Sequence, residues 1–187
     1  MFKKGLYYLA MAVIVCVIAC NRSEESERNN AIHQPVSSDV KQSSVPYSGY
    51  TYQEGVQQSK KQQKPMVIYF YTVWCTFCRA MDRSVFSDNA VIDRLKQNFI
   101  YVRVNAEADG LMRFKNHDLS PMEFTMMMGV RGFPTTLFLD KEQNPITKVP
   151  GFLQRDTFLN LLGYIRDECY RKEVTFESYM DGNRGCR

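Results

Sequence analysis

Apolar and polar positions alternate along this chain in blocks that read as strands and helices in turn. Residues 52 to 64 favour a helix, and Pro65 ends it, because proline cannot continue the hydrogen-bond ladder. Residues 66 to 71 (Met-Val-Ile-Tyr-Phe-Tyr) form an unbroken apolar run, as expected of a strand covered on both faces. A turn through Thr72, Val73 and Trp74 then leads into a second helix at Cys75. Asp88 is a good N-cap for a helix running to Gln97, and 99 to 104 reads as another buried strand. Residues 107 to 128 are Met-rich and predict one or two short helices, Ser120-Pro121 starting the second. Strands are predicted at 135 to 139 and 146 to 149, joined by a turn over 140 to 145. A closing helix over 156 to 168 carries Phe158, Leu159, Leu161, Leu162 and Ile165 on its apolar side. This order predicts an α/β fold, a central mixed sheet flanked by helices.

The first 49 residues do not share this pattern. Lys3 and Lys4 precede an apolar run from Leu6 to Ala19, too short to span a bilayer comfortably and suited to a secretory signal over residues 1 to 19. The run ends in Ala19-Cys20, which resembles the lipobox of bacterial lipoproteins. By that resemblance Cys20 carries a lipid, anchors the chain to a membrane, and begins the mature protein. An ordinary signal peptide or a signal anchor is the alternative. Asn21, where the lipoprotein family would use Asp for inner-membrane retention, tilts the expectation toward the outer membrane of a periplasm-bearing cell envelope. Residues 20 to 49 are polar, with Pro35 and Pro46, and read as a flexible tether. A single domain is expected over 50 to 168, followed by a tail over 169 to 187.

Composition narrows the function. The 187 residues are 44% hydrophobic and 13% aromatic, enough for a real core. The formal charge of +4 includes Lys3 and Lys4; without them 22 basic residues face 20 acidic ones. There is no concentrated basic face for nucleic acid, and Lys60, Lys61 and Lys64 read as the polar side of a helix. Of six cysteines, Cys16 leaves with the signal and Cys20 takes the lipid. Cys75, Cys78, Cys169 and Cys186 remain, in a compartment that permits disulfides.

Chemistry concentrates at Trp74-Cys75-Thr76-Phe77-Cys78. A cysteine where a strand hands over to a helix meets unpaired N–H groups and the positive end of the helix dipole. Both stabilise a thiolate, the nucleophilic form. Cys78 lies one turn on and can resolve a mixed disulfide formed at Cys75. Zinc would need four ligands, and neither a second C-x-x-C nor a suitable histidine is at hand; His33 and His117 lie in the tether and the 106 to 128 segment. A c-type haem would need histidine where Arg79 stands. A purely structural disulfide would close too short a loop to stabilise much. No cofactor is implied, and Met126, Met127 and Met128 read as core packing rather than soft metal ligands.

With Met128-Gly129-Val130-Arg131-Gly132-Phe133-Pro134-Thr135 downstream, the sequence resembles the thioredoxin superfamily over residues 52 to 167. Ser84 to Asp88 and Val149 to Phe152 are most similar to exported thioredoxin-like reductases, among them the C-terminal domain of the DsbD electron conductor. The resemblance implies a cis Pro134 facing the cysteines, a substrate backbone pairing with Phe133, and Trp74 shaping the rim. It implies protein thiols or disulfides as partners and a membrane electron donor. Two departures stand out. Tyr69 occupies the place of the family's buried aspartate, so proton transfer must use water or another carboxylate such as Glu107. Arg103 stands where thioredoxin has a lysine near the cysteines and is expected to help electrostatically. The segment from Ala106 to Met128 is longer than in plain thioredoxin. Cys169 and Cys186 are read as a structural bridge pinning the tail, with Phe176 and Tyr179 as anchors; a second redox pair or two free thiols are the alternatives.

Three functional readings follow. The first is a disulfide oxidoreductase, reductant or isomerase-like rather than oxidant, since no histidine lies between the cysteines. The second is a tethered module holding Cu(I) between two thiolates. The third is a scaffold that keeps the fold and uses its disulfide structurally.

Overall fold

The computed structural model describes residues 46–182 and Cys186. The expected signal segment, Cys20 and nearly all of the expected tether lie outside the described residues.

Four strands build the main sheet: β1 (Met66–Tyr71), β2 (Ile100–Asn105), β5 (Thr135–Leu139) and β6 (Pro145–Pro150). Their spatial order is β2-β1-β5-β6. β1 and β2 run parallel, while β5 is antiparallel to β1 and β6 antiparallel to β5, giving the mixed sheet. Side chains alternate across the strands. Val67, Tyr69 and Phe138 face one core with Met81, Phe86, Leu95, Phe158 and Leu162. Met66, Ile68, Phe70 and Leu137 face a second core with Tyr52 and Phe124. The first core is closed by helices α2 (Thr76–Ser84), α3 (Asn89–Asn98) and α5 (Arg155–Arg166). The second is closed by α1 (Tyr52–Gln62) and α4 (Pro121–Met127). Helical layers on both faces explain why β1 reads as a continuous apolar run.

Local chemistry sets the helix starts. Thr51 and Glu54 form a reciprocal capping box for α1, as do Ser120 and Glu123 for α4, and Asp88 caps α3. Gly55 lets α1 close down on the sheet, because a Cβ there would run into Val102.

Three expectations are corrected. The first half of the 107 to 128 segment is a β-hairpin, β3 (Met112–Phe114) and β4 (His117–Leu119), rather than a helix. Met112, Phe114 and Leu119 join the second core, Phe114 lying 5.5 Å from the Phe124 ring, while Arg113 pairs outward with Asp118 at 2.8 Å. Strands of three residues carry too few alternations to announce themselves. The methionine cluster is not all core: Met128 packs inward, but Met126 and Met127 are 60% and 52% exposed. Ordered contacts also begin earlier than residue 50. Tyr47 stacks on Tyr101 at 5.5 Å, its N–H bonds the Phe86 carbonyl, and Tyr50 bridges to Val102.

Candidate active site

The C-terminal end of β1 leads into the loop Thr72–Trp74 and then α2. Cys75 is the N-cap of that helix: its backbone is extended, and its Sγ accepts the N–H of Cys78 at 3.1 Å. Cys75 and Cys78 are joined in a disulfide with Cα atoms 5.2 Å apart. Arg79 holds the loop in shape by donating to the Val73 carbonyl (2.9 Å) and to Thr76 Oγ1 (3.2 Å). Both cysteines are nearly enclosed, whereas Val73, Trp74 and Phe77 are each more than 60% exposed. Large apolar side chains standing in solvent around a sulfur pair form a surface built for contact.

The opposite wall comes from β5. Phe70 pairs with Thr135, so the residues just before β5 lie beside the loop that follows β1. There the Phe133-Pro134 peptide bond is cis. The Phe133 ring meets Trp74 edge-on at 6.4 Å. The Pro134 carbonyl accepts the Gly151 N–H at 2.8 Å, and Thr135 Oγ1 donates to the Gly132 carbonyl at 2.7 Å. Trp74 is fixed from its other side, its Nε1–H donating to a Glu107 carboxylate oxygen at 2.9 Å.

The site is thus a helix-capping C-x-x-C disulfide facing a cis-proline. The thioredoxin-like domain family matches residues 52–166. The chain belongs to the thioredoxin-like family. Among curated relatives, the thiol:disulfide interchange protein DsbD of Vibrio vulnificus is 29% identical over 109 residues, covering 57% of this chain and 17% of that protein. DsbD of Haemophilus influenzae is 34% identical over 96 residues, 49% of this chain and 15% of that protein. The chain thus spans under a fifth of the length of the relatives it matches. Among solved structures, a thioredoxin-fold protein from Helicobacter pylori superposes with a TM-score of 0.55 at 22% identity, over 67% of this chain and 83% of that one. A thioredoxin from Thermus thermophilus gives 0.54 at 22% identity, over 65% and 88%. The protein is a thioredoxin-like domain with a C-x-x-C pair, homologous to thiol–disulfide oxidoreductases.

Within this thioredoxin-like frame, the floor of the site is unusual. Tyr69, six residues before Cys75, is fully buried, and its hydroxyl donates to the Cys78 carbonyl at 3.4 Å. Burial, reinforced by the Asp82 carboxylate, pushes its phenol well above the ordinary tyrosine range, so it remains a neutral donor and takes no proton at neutral pH. Arg103 faces Tyr69 directly in the parallel β1–β2 register. Its guanidinium makes a two-pronged pair with Asp82, at 2.7 and 3.1 Å, and lies 4.5 Å from the Tyr71 ring centre and 5.2 Å from that of Tyr69. The Arg103 charge is paired with Asp82, and its contact with the cysteine loop runs through Tyr69. Glu107 is exposed and holds Trp74, so it does not sit under the disulfide as a proton acceptor.

Asp82 went unnoticed in the sequence. The available signal was its spacing, one helical turn after Cys78 and therefore on the same helix face. Two further polar groups were equally silent: Thr72 Oγ1 and Thr136 Oγ1 are buried with no hydrogen-bond partner. Thr136 stands opposite Tyr69 across β1 and β5.

Cys169 and Cys186 are joined in a second disulfide, with Cα atoms 4.9 Å apart, and both are buried. Cys169 opens a short 3-10 turn (Cys169–Arg171), and Phe176–Met180 forms α6. Tyr179 is buried against α5, where a Cβ at Gly163 would come within 2.6 Å of its hydroxyl; only glycine lets the ring settle there. Phe176 packs on Tyr164 at 5.5 Å. His117 is exposed on the β3–β4 hairpin. Among the described residues, no group of three or more His, Cys, Asp or Glu side chains is placed to hold a metal ion.

Proposed function

We propose that the protein reduces disulfides of other proteins outside the cytoplasm, with Cys75 attacking and Cys78 resolving, and that a lipid on Cys20 tethers it to a membrane. In the reduced protein the Cys75 thiolate attacks one sulfur of a substrate disulfide. A Cys75–substrate bond forms, the substrate's own S–S bond breaks, and the departing thiolate takes up a proton. Cys78 then loses its proton to water, and its sulfur attacks Cys75 Sγ. The second substrate thiolate leaves and is protonated. Two electrons have passed to the substrate, and the Cys75–Cys78 disulfide remains. A dithiol of a membrane protein supplies two electrons and two protons to restore the reduced pair.

The observation that carries the reducing direction is the modest support for a thiolate at Cys75. Its sulfur receives one backbone N–H and the end of a nine-residue helix. No histidine lies between the cysteines, and Arg103 is neutralised by Asp82. Strongly oxidising members owe their potential to a stabilised thiolate form. The export segment and the homology to DsbD support the compartment and the electron donor. Replacing Cys78 by Ala and isolating disulfide-linked partners from the cell envelope tests the reading. Covalent adducts that depend on Cys75 are expected; their absence under native expression would remove the proposed function.

A further inference from the structure

Around the disulfide, almost every charged side chain already has a partner. Arg79 is bound to the Val73 carbonyl and Thr76, Arg103 to Asp82, and Glu107 to Trp74. Lys148 reaches from β6 to the Gly129 carbonyl at 2.5 Å and the Met128 carbonyl at 3.3 Å, adding a positive charge to the loop before Pro134. Arg131, in that same loop, is exposed and makes no hydrogen bond, ion pair or ring contact among the described residues. It stands two residues before Phe133, whose N–H and C=O likewise have no backbone partner among the described residues. The Gly132 carbonyl between them is taken by Thr135. On either side lie exposed apolar side chains, Trp74 and Phe77 toward the cysteines and Met126 and Met127 toward α4.

We propose that Arg131 is a specificity residue, selecting substrate segments that carry a carboxylate on the C-terminal side of the attacked cysteine, flanked by apolar residues. This inference rests on the reading of the site as one that docks protein disulfides. A segment pairing antiparallel with Phe133 runs past Gly132 and brings its residue two positions further on beside Arg131. A carboxylate there meets the unpaired guanidinium, with Lys148 contributing at longer range. A lysine meets two like charges. The neighbouring apolar residues of the segment cover Trp74 and Phe77 at one end and the adaptable methionines at the other. Exposed ion pairs are weak, so the gain over a neutral residue is about threefold to fivefold. The contrast between Asp and Lys is roughly tenfold, shrinking as salt shortens the screening length.

The test uses the reduced full chain and a series of disulfide-bridged peptides in which Asp, Asn or Lys is moved through the four positions after the attacked cysteine. Oxidation of the protein is followed through Trp74, its single tryptophan. Each rate is divided by the same protein's rate on uncharged hydroxyethyl disulfide. At one position Asp is expected to exceed Lys about tenfold in the wild type, Arg131→Ala to flatten the difference, and Arg131→Glu to reverse it. Equal rates at all four positions, or an acidic preference that survives Arg131→Glu, would overturn the assignment. A wild-type protein that reduces neither the peptides nor hydroxyethyl disulfide would instead remove the redox reading, and the charge preference with it.

Discussion

Replacing Cys169 and Cys186 together by alanine probes how the tail is held. The bridge spans a sequence separation of 17 and closes α6 and the 3-10 turn against α5. In the chain-entropy account, opening a loop of that length costs about 3 kcal/mol at 25 °C, and the loss of two buried sulfurs adds to it. For a domain of this size that corresponds to a fall in Tm of roughly 10 °C. Urea unfolding followed by far-ultraviolet circular dichroism reads the change as a lower midpoint at unchanged slope. Because the tail packs on α5 and not on the Cys75 loop, the double variant is expected to keep its rate of disulfide reduction. The two bridges should also separate chemically: the Cys169–Cys186 pair, which closes the longer loop, resists dithiothreitol concentrations that open Cys75–Cys78. A loss below about 1 kcal/mol would refute the entropic reasoning. A loss of reducing activity in the still-folded variant would refute the independence of tail and site.

Other consequences can be checked separately. Asp82→Ala leaves the Arg103 guanidinium buried without its counter-charge and should cost about 3 kcal/mol in urea unfolding, while Asp82→Leu combined with Arg103→Met recovers most of that loss; equal costs for single and double variants would contradict it. Glu107→Ala frees the Trp74 indole, so fluorescence anisotropy at Trp74 should fall and kcat/KM on a protein disulfide should drop about fivefold; unchanged anisotropy would argue against the latch. Burial holds the phenols of Tyr69 and Tyr101 well above their ordinary range and that of Tyr52 at about 12. A raised folded pKa means that this stability is complete below pH about 10 and is lost as pH rises through the folded values. Tyrosinate absorbance in the native protein should therefore lag that of the unfolded chain above pH about 10, and coincident titrations would contradict the burial argument.

Much of this molecule was legible from its residues because its strongest signals are physical. The run at 66 to 71 is apolar on both faces because two cores press on it. Asp88 and Ser120 mark helix starts through side-chain bonds that need no tertiary information. The cysteine pair was readable because strand, tryptophan and helix start fall in one short stretch. What stayed hidden depends on pairing across distance. The β3–β4 hairpin is too short to show its alternation, and its methionine reads equally well as helix. Arg103 looked like a free cation until the sheet register set it against Tyr69 and the helix brought Asp82 to meet it. Tyr47 looked like part of the tether because its partners, the Phe86 carbonyl and the stacked Tyr101 ring, lie far downstream in the sequence.

The reduction potential of the Cys75–Cys78 pair tests the central claim most directly. It is measured by equilibrating the protein with dithiothreitol buffers and reading the fraction oxidised by thiol trapping. A reversible two-electron couple near −270 mV, about the thioredoxin value, is predicted, as befits a reductant with a weakly supported thiolate. A value near −120 mV would make the protein an oxidant, and no reversible couple at all would contradict the redox assignment itself.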